Sequence, residues 1–335
     1  MNLNPQIFRR QTRGLARDPQ QPVHPGAQVT LDELIALRLQ AGSLALKSHG
    51  TAVNLLAGAH RSRFRGRGMD YAESRAYQAG DDIRNMDWRI TARTGQPHTK
   101  LYQEERERPV VVMLDLNPTM FFGTRVAFKS VAAARAAALI GWAAVAGGDR
   151  IGALLFNGGH HELQPRGGRR GALRLMRALV QATDPARGLA EPPHADGLNQ
   201  ALARLRRVAR PGSLVFIFSD FYGIDDETGP HLMRLQHHND LVAVQVRDAL
   251  ELAPPPPGRY GITDGRERGV LDTRSPRQRA HYGEWFRQRR RLLTETMQGH
   301  AIPLLTLATD DDPLAILNSG LHSRQRSRRN GRAVA

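Results

Sequence analysis

From Pro109 onward the chain alternates short, fully apolar segments with longer helical ones, and this alternation restricts its fold more than any other feature. Val110–Leu114 and Leu214–Phe218 are unbroken aliphatic or aromatic runs, the pattern of strands buried on both faces. Further strands are expected at Arg150–Phe156, Leu241–Val246 and Ile302–Leu307, with His160–Leu163 as a hairpin partner of the first. Helical patterns fall between them: Phe128–Ala146, stopped by Gly147-Gly148, then Ala172–Gln181, Leu198–Val208, His231–His237 and Pro276–Met297. Strands separated by helices imply a doubly wound α/β domain with a mostly parallel sheet and helices on both faces. Each of the two most apolar strands is followed at once by an aspartate, Asp115 and Asp220. Such sheets bind ligands outside the carboxyl ends of their strands, so both aspartates are expected at one functional edge.

The rest of the chain divides by composition. Residues 1–28 are polar, Pro/Gln/Arg-rich and unpatterned, which predicts a disordered basic tail, and residues 319–335 predict another. Residues 29–108 are expected to hold one amphipathic helix and a charged region. The helix opens on the capping-box pattern Thr30-Leu31-Asp32-Glu33. The charged region reads as extended segments at Arg63–Tyr77, Arg84–Ala92 and His98–Glu105, with turns at its glycines. Residues 109–318 form the α/β domain, interrupted near 254–275 by an insertion that begins at Pro254–Pro257.

Bulk properties narrow the chemistry. The chain has no cysteine, which excludes disulfides, a thiolate nucleophile and Cys-type zinc sites. All but three of its 48 basic residues are arginine, the exceptions being Lys47, Lys100 and Lys129. A net charge of +16 could attract nucleic acid, yet the arginines are spread along the chain without interleaved aromatic stacking platforms. That distribution argues for a solvated surface rather than a nucleic-acid site. The opening residues lack the apolar core of a signal peptide. The longest apolar stretch, Val131–Ala146, contains Arg135 and is too short for a membrane span. A cytoplasmic protein is expected.

Three loops gather oxygen-bearing side chains at the expected edge. Asp115, Asn117 and Thr119 recur at every second position after one strand, Asp196 precedes a helix, and Asp220 follows the other strand. Hard oxygen ligands from separate loops suit Mg²⁺, while the same residue types are also common turn formers at strand ends. The pattern resembles the metal-ion-dependent adhesion site of von Willebrand A domains, which reads Asp-x-Ser-x-Ser, then a threonine, then an aspartate. The resemblance implies a bound Mg²⁺ that takes a partner's carboxylate as its last ligand. Here Asn117 replaces a serine and Asp196 stands where the threonine is expected.

The charged region carries a longer motif. It comprises Glu73, Arg75, Tyr77, Gly80, Asp81, Asp82, Arg84, Asp87 and Trp88, then Thr91, Arg93, Lys100, Glu104 and Glu105. This order resembles the bacterial family catalogued as domain of unknown function 58, over roughly residues 50–320. The resemblance implies a charged block followed by a von Willebrand A-like domain, and association with a MoxR-type AAA+ ATPase or its client protein. Relatives often carry transmembrane helices; this sequence reads as a member without a membrane span. Within the block, acids and arginines are expected to pair and brace the α/β domain, with Tyr77 and Trp88 as apolar anchors.

No Gly-x-Ser-x-Gly elbow and no phosphate loop ending in Gly-Lys-Ser/Thr occurs. The expectation is therefore a non-enzymatic adaptor that docks partners at the strand-end edge through an acidic group, with Mg²⁺ as the cofactor in question. One alternative is a metal-dependent hydrolase or nuclease using Glu73, Asp81, Asp82 and Asp87. A weaker one is nucleic-acid binding through the arginines.

Overall fold

A computed structural model of the protein describes residues 26–44, 46, 69–78, 83–104, 107–190, 197–263 and 268–321. The expected tails fall largely outside the described residues. So do Gly80, Asp81, Asp82, Glu105 and Asp196, together with the side chains of Glu73 and Glu104.

Among the described residues, two short helices come first, α1 (Leu31–Ala36) and α2 (Arg38–Ala41). The expected capping box closes α1: the Thr30 hydroxyl accepts from the Glu33 amide, and the Glu33 carboxylate accepts from the Thr30 amide. Residues 51–107 then form a separate compact unit. In it, β1 (Met69–Ala76), α3 (Trp88–Thr94) and β2 (His98–Glu104) follow in order, the two strands pairing antiparallel.

The expectation of an extended segment over Arg84–Ala92 is corrected here. Ile83–Asn85 is a single 3₁₀ turn and α3 follows. Asp87 caps that helix by accepting from the Arg89 and Ile90 amides, and Gly95 ends it in the left-handed conformation with φ of 72°. A charged residue at the start and a glycine just past the end are ordinary helix punctuation, which the scarcity of aliphatic residues concealed.

The α/β unit contains β3 (Pro109–Asp115), α4 (Lys129–Ala146), β4 (Arg150–Asn157), β5 (Gly159–Arg166), α5 (Gly168–Ala182) and the short α6 (Pro185–Gly188). It continues through α7 (Gly197–Val208), β6 (Leu214–Ser219), α8 (Thr228–Gln236) and β7 (Asp240–Arg247). The hairpin β8 (Arg259–Thr263) and β9 (Arg268–Asp272) occupies the expected insertion, and α9 (Pro276–Gly299) and β10 (Leu304–Ala308) complete the sheet.

The six-stranded sheet runs β10-β7-β6-β3-β4-β5, parallel except for the edge strand β5. Alternate residues of β3 enter opposite core layers: Val110, Val112 and Leu114 meet α4 and α5, while Val111 and Met113 meet α7. Gly152 lies where β4 and β5 shift register; a Cβ there would come within 2.7 Å of the Leu163 carbonyl oxygen. Chain order reverses between β3 and β6, the kind of switch point at which doubly wound sheets bind ligands.

Helix α4 is apolar nearly all round and buried along most of its length, as the central helix of a covered layer must be. It is long and apolar enough to pass as a membrane span, yet its residues are packed inside the fold. Part of its cover comes from the N-terminal helix, which the sequence reading grouped with the charged region. The Trp142 indole donates to the Leu34 carbonyl at 2.9 Å, and Arg135 pairs with Glu33 at 2.5 Å. The arginine that interrupts the apolar stretch thus reaches the rim of α4.

Trp142→Phe keeps an aromatic ring but deletes the donor and part of the indole volume. The expected outcome is a loss of about 1 kcal/mol in urea denaturation, with Trp142→Ala losing about 3–5 kcal/mol through the cavity as well.

Candidate functional site

Parallel pairing of β3 with β6 sets Leu114 beside Phe218, so Asp115 and Ser219 emerge side by side at the switch point. The Ser219 hydroxyl donates to Asp115 Oδ2 at 2.6 Å, and the Asn117 amide donates to Oδ1 at 3.0 Å. Directly after Asp220 the backbone turns through Phe221, a non-glycine residue with φ of 56°. The Phe221 amide donates to Ser219 Oγ at 2.8 Å, which holds this strained turn. Asp220 is thereby aimed into the edge while the Phe221 ring enters the α7 and α8 core layer.

A lysine waits there. Lys129, the first residue of α4, has no exposed side-chain surface; its ammonium lies 2.9 Å from Asp220 Oδ2 and 2.5 Å from Glu251 Oε1. A cation at a helix N-terminus opposes the helix dipole, so the two carboxylates must offset both the dipole and the loss of water. Burial works against the charge on Lys129, but Asp220 and Glu251 outweigh it and hold its pKa above the ordinary lysine value.

Glu251 is itself fixed by a second capping box. Its other oxygen accepts from the Asp248 amide at 3.1 Å, while Asp248 Oδ1 accepts from Leu250. Asp248 is fully buried and also accepts from the Thr124 and Thr309 hydroxyls, which lower its pKa against the effect of burial. The Tyr222 ring covers the ammonium at 4.7 Å, and Arg289 stacks on the Tyr222 and Trp285 rings at 5.1 and 4.8 Å.

Among the expected cation ligands, Asp115 and Asp220 have other partners, and Asp196 lies outside the described residues. Asp220 is engaged by Lys129, and Asp115 holds the Ser219 hydroxyl. Thr119 sits in a 3₁₀ turn, Pro118–Met120, without a hydrogen bond to either aspartate among the described residues. Asn117 Oδ1 is buried with no protein partner. Mg²⁺ is held through one or two carboxylates with neutral oxygens and water completing its octahedron, and an ammonium already stands on Asp220. The residues do not fit a divalent cation in this arrangement, and no described group of three or more metal-ligating acids or histidines takes its place.

Sequence reasoning placed Asp115 and Asp220 but missed Lys129, Glu251, Tyr222 and Arg289. A signal existed: Lys129 is one of only three lysines in an arginine-rich chain, at the start of its most apolar helix. Asp248-x-x-Glu251 is likewise a readable capping box.

In the smaller unit, Asp87 is consumed by structure. Besides capping α3 it accepts from the Ser74 hydroxyl at 2.8 Å, and that bond leads the effects holding its carboxyl below the usual range. Thr91 Oγ1 accepts the His98 amide, tying α3 to β2, and Lys100 adds favourable charge near Asp87. Arg75 and Tyr77 are half-buried, while Arg84 and Arg93 are exposed. Trp88, the first residue of α3, is 66% exposed.

Residues 73–291 match the family described as "Protein of unknown function DUF58". Uncharacterized proteins of Mycobacterium tuberculosis (Rv1480) and Mycobacterium bovis (Mb1516) are each 33% identical over 313 residues, covering 91% of this chain and 95% of theirs. Among solved structures, the conserved hypothetical protein BatB from Bacteroides thetaiotaomicron aligns with a TM-score of 0.42 at 11% identity. That alignment covers 66% of this chain and 99% of BatB.

Lys129→Met would leave Asp220 and Glu251 buried without their cation. Urea denaturation should show a loss of about 3–5 kcal/mol, partly recovered by adding Asp220→Asn.

Asp115 gives a pH signature. Burial, then the charge of Asp220, pushes its carboxyl from the ordinary 3.8 up to about 7. Between those values the folded chain holds a proton that the unfolded chain has released. The stabilising contribution is therefore complete below the unfolded value and is lost as pH rises through the folded one. Relative to Asp115→Asn, the wild-type melting temperature should fall between pH 4 and pH 7; parallel profiles would show Asp115 already ionised.

Proposed function

The chain belongs to the DUF58 family, and we propose that it is a non-enzymatic adaptor that docks a partner protein at the carboxyl edge of β3 and β6, with Lys129 in place of a metal ion. The observation that carries this reading is the buried Lys129–Asp220–Glu251 cluster at the switch point. Its ammonium has no exposed surface and both carboxylates are engaged by it, which suits a structural role. It can fix the loops around it, and a rigid loop set at the ligand edge suits recognition. The partner implied by the family resemblance is a MoxR-type AAA+ ATPase or its client.

The rim of the edge offers positions whose substitution spares the core. Leu252 is 43% exposed, and Thr119 is half-buried with no hydrogen bond among the described residues. Leu252→Glu and Thr119→Trp should each weaken capture of a purified MoxR-type ATPase at least tenfold while leaving the melting temperature within about 2 °C. Millimolar Mg²⁺ should alter neither capture nor melting. Capture indifferent to both rim variants would remove the docking edge; capture abolished by EDTA would restore a metal.

A further inference from the structure

Beside the Lys129 cluster lies a small cleft of about 20 Å³, lined by Arg247 at the end of β7 and by Arg289 and Arg290 of α9. Asp220 and Glu251 also line it, but both are engaged by Lys129. Gln245 and Leu252 complete the part that matters for recognition.

Three guanidinium groups sharing one cleft would ordinarily be matched by acids. Here they are not. Arg247 and Arg290 form no ion pair among the described residues, and Arg289 is held by the Tyr222 carbonyl and the Tyr222 and Trp285 rings. The Nε atoms of Arg247 and Arg289 are both buried with no hydrogen-bond partner. Buried donors in folded proteins are nearly always satisfied, so two orphan N–H groups at one cleft mark guanidinium groups without a matching acceptor among the described residues. The charged groups facing Arg247 are Arg290, which opposes its charge, and Asp311, Glu251 and Asp310, which favour it. Burial and Arg290 prevail, so its pKa is lowered. Asp311 also accepts the Ala308 amide, and Asp310 pairs with Arg125 at 3.6 Å.

We infer that the Arg247–Arg289–Arg290 cleft is the acceptor for a carboxylate of the docked partner, an acidic side chain presented on an extended peptide. This deepens the docking proposal and rests on it. A guanidinium fork matches a carboxylate with paired N–H donors, so recognition needs no metal. Carboxylate is favoured over phosphate because Asp220 and Glu251 flank the cleft and repel a doubly charged group more strongly. Nucleic acid is disfavoured because Arg289 already stacks on the Tyr222 and Trp285 rings that bases would need.

The test uses the full chain and a fluorescein-labelled decapeptide rich in glutamate, read by anisotropy against its glutamine counterpart. The wild type should bind the acidic peptide, and Arg247→Gln with Arg290→Gln should weaken it at least tenfold, with EDTA having no effect. Arg206→Gln with Arg207→Gln removes equal charge from exposed positions at the end of α7, away from the cleft, and should change affinity less than twofold. Equal losses in the two double variants would reduce the binding to general basicity and overturn the cleft. Equal affinity for the glutamine peptide, tighter binding of a phosphoserine version, or loss with EDTA would overturn it too. The same arginine variants in the ATPase capture assay separate the two proposals. If Leu252→Glu abolishes capture and Arg247→Gln with Arg290→Gln leaves it intact, the docking edge survives and the carboxylate cleft does not. If neither has an effect, both fall.

Discussion

The α/β unit is organised around one buried ammonium. Lys129 draws Asp220 from the end of β6 and Glu251 from the loop after β7 onto the first turn of α4. Three elements distant in sequence are thus tied at one point. An ion pair buried this completely is a weak source of net stability, because desolvation consumes much of the attraction. Its effect lies in specificity: with Lys129 charged, only one arrangement of these loops leaves no carboxylate unmatched. The two capping interactions behind Glu251 and the left-handed turn at Phe221 make sense as supports for that arrangement.

The same cluster sets the chemistry of the edge. A lysine ammonium supplies one positive charge and three directional donors, whereas a divalent cation requires a fuller oxygen shell. With Asp220 committed and Asp115 accepting from Ser219, the chemistry of the edge passes to groups at its rim. Those groups are arginines, and Arg289 is pre-oriented by its aromatic stack.

The sequence disclosed the sheet and its edge because the signals involved are local. Unbroken apolar runs at Val110–Leu114 and Leu214–Phe218 are readable one segment at a time, and so is the aspartate that ends each. The partners of those aspartates were not legible, since Lys129 and Glu251 reach Asp220 only after the chain has folded over it. Spacing alone suggested that Asn117 and Thr119 would converge with Asp115; the structure adds a 3₁₀ turn at Pro118–Met120 and an Asn117 amide bonded to Asp115, neither of which spacing discloses. In the smaller unit the error ran the other way. A short helix with few aliphatic residues has no hydrophobic periodicity to show, and only its capping residues, Asp87 and Gly95, betray it.

The packing of α1 on α4 bears on the order in which the molecule assembles. The bond from Trp142 to Leu34 spans 108 residues of chain. Closing so long a loop is entropically unfavourable until the apolar surface of α4 exists to receive it. During synthesis α1 must therefore wait for α4, whose Trp142 is made 108 residues after Leu34, before it can dock.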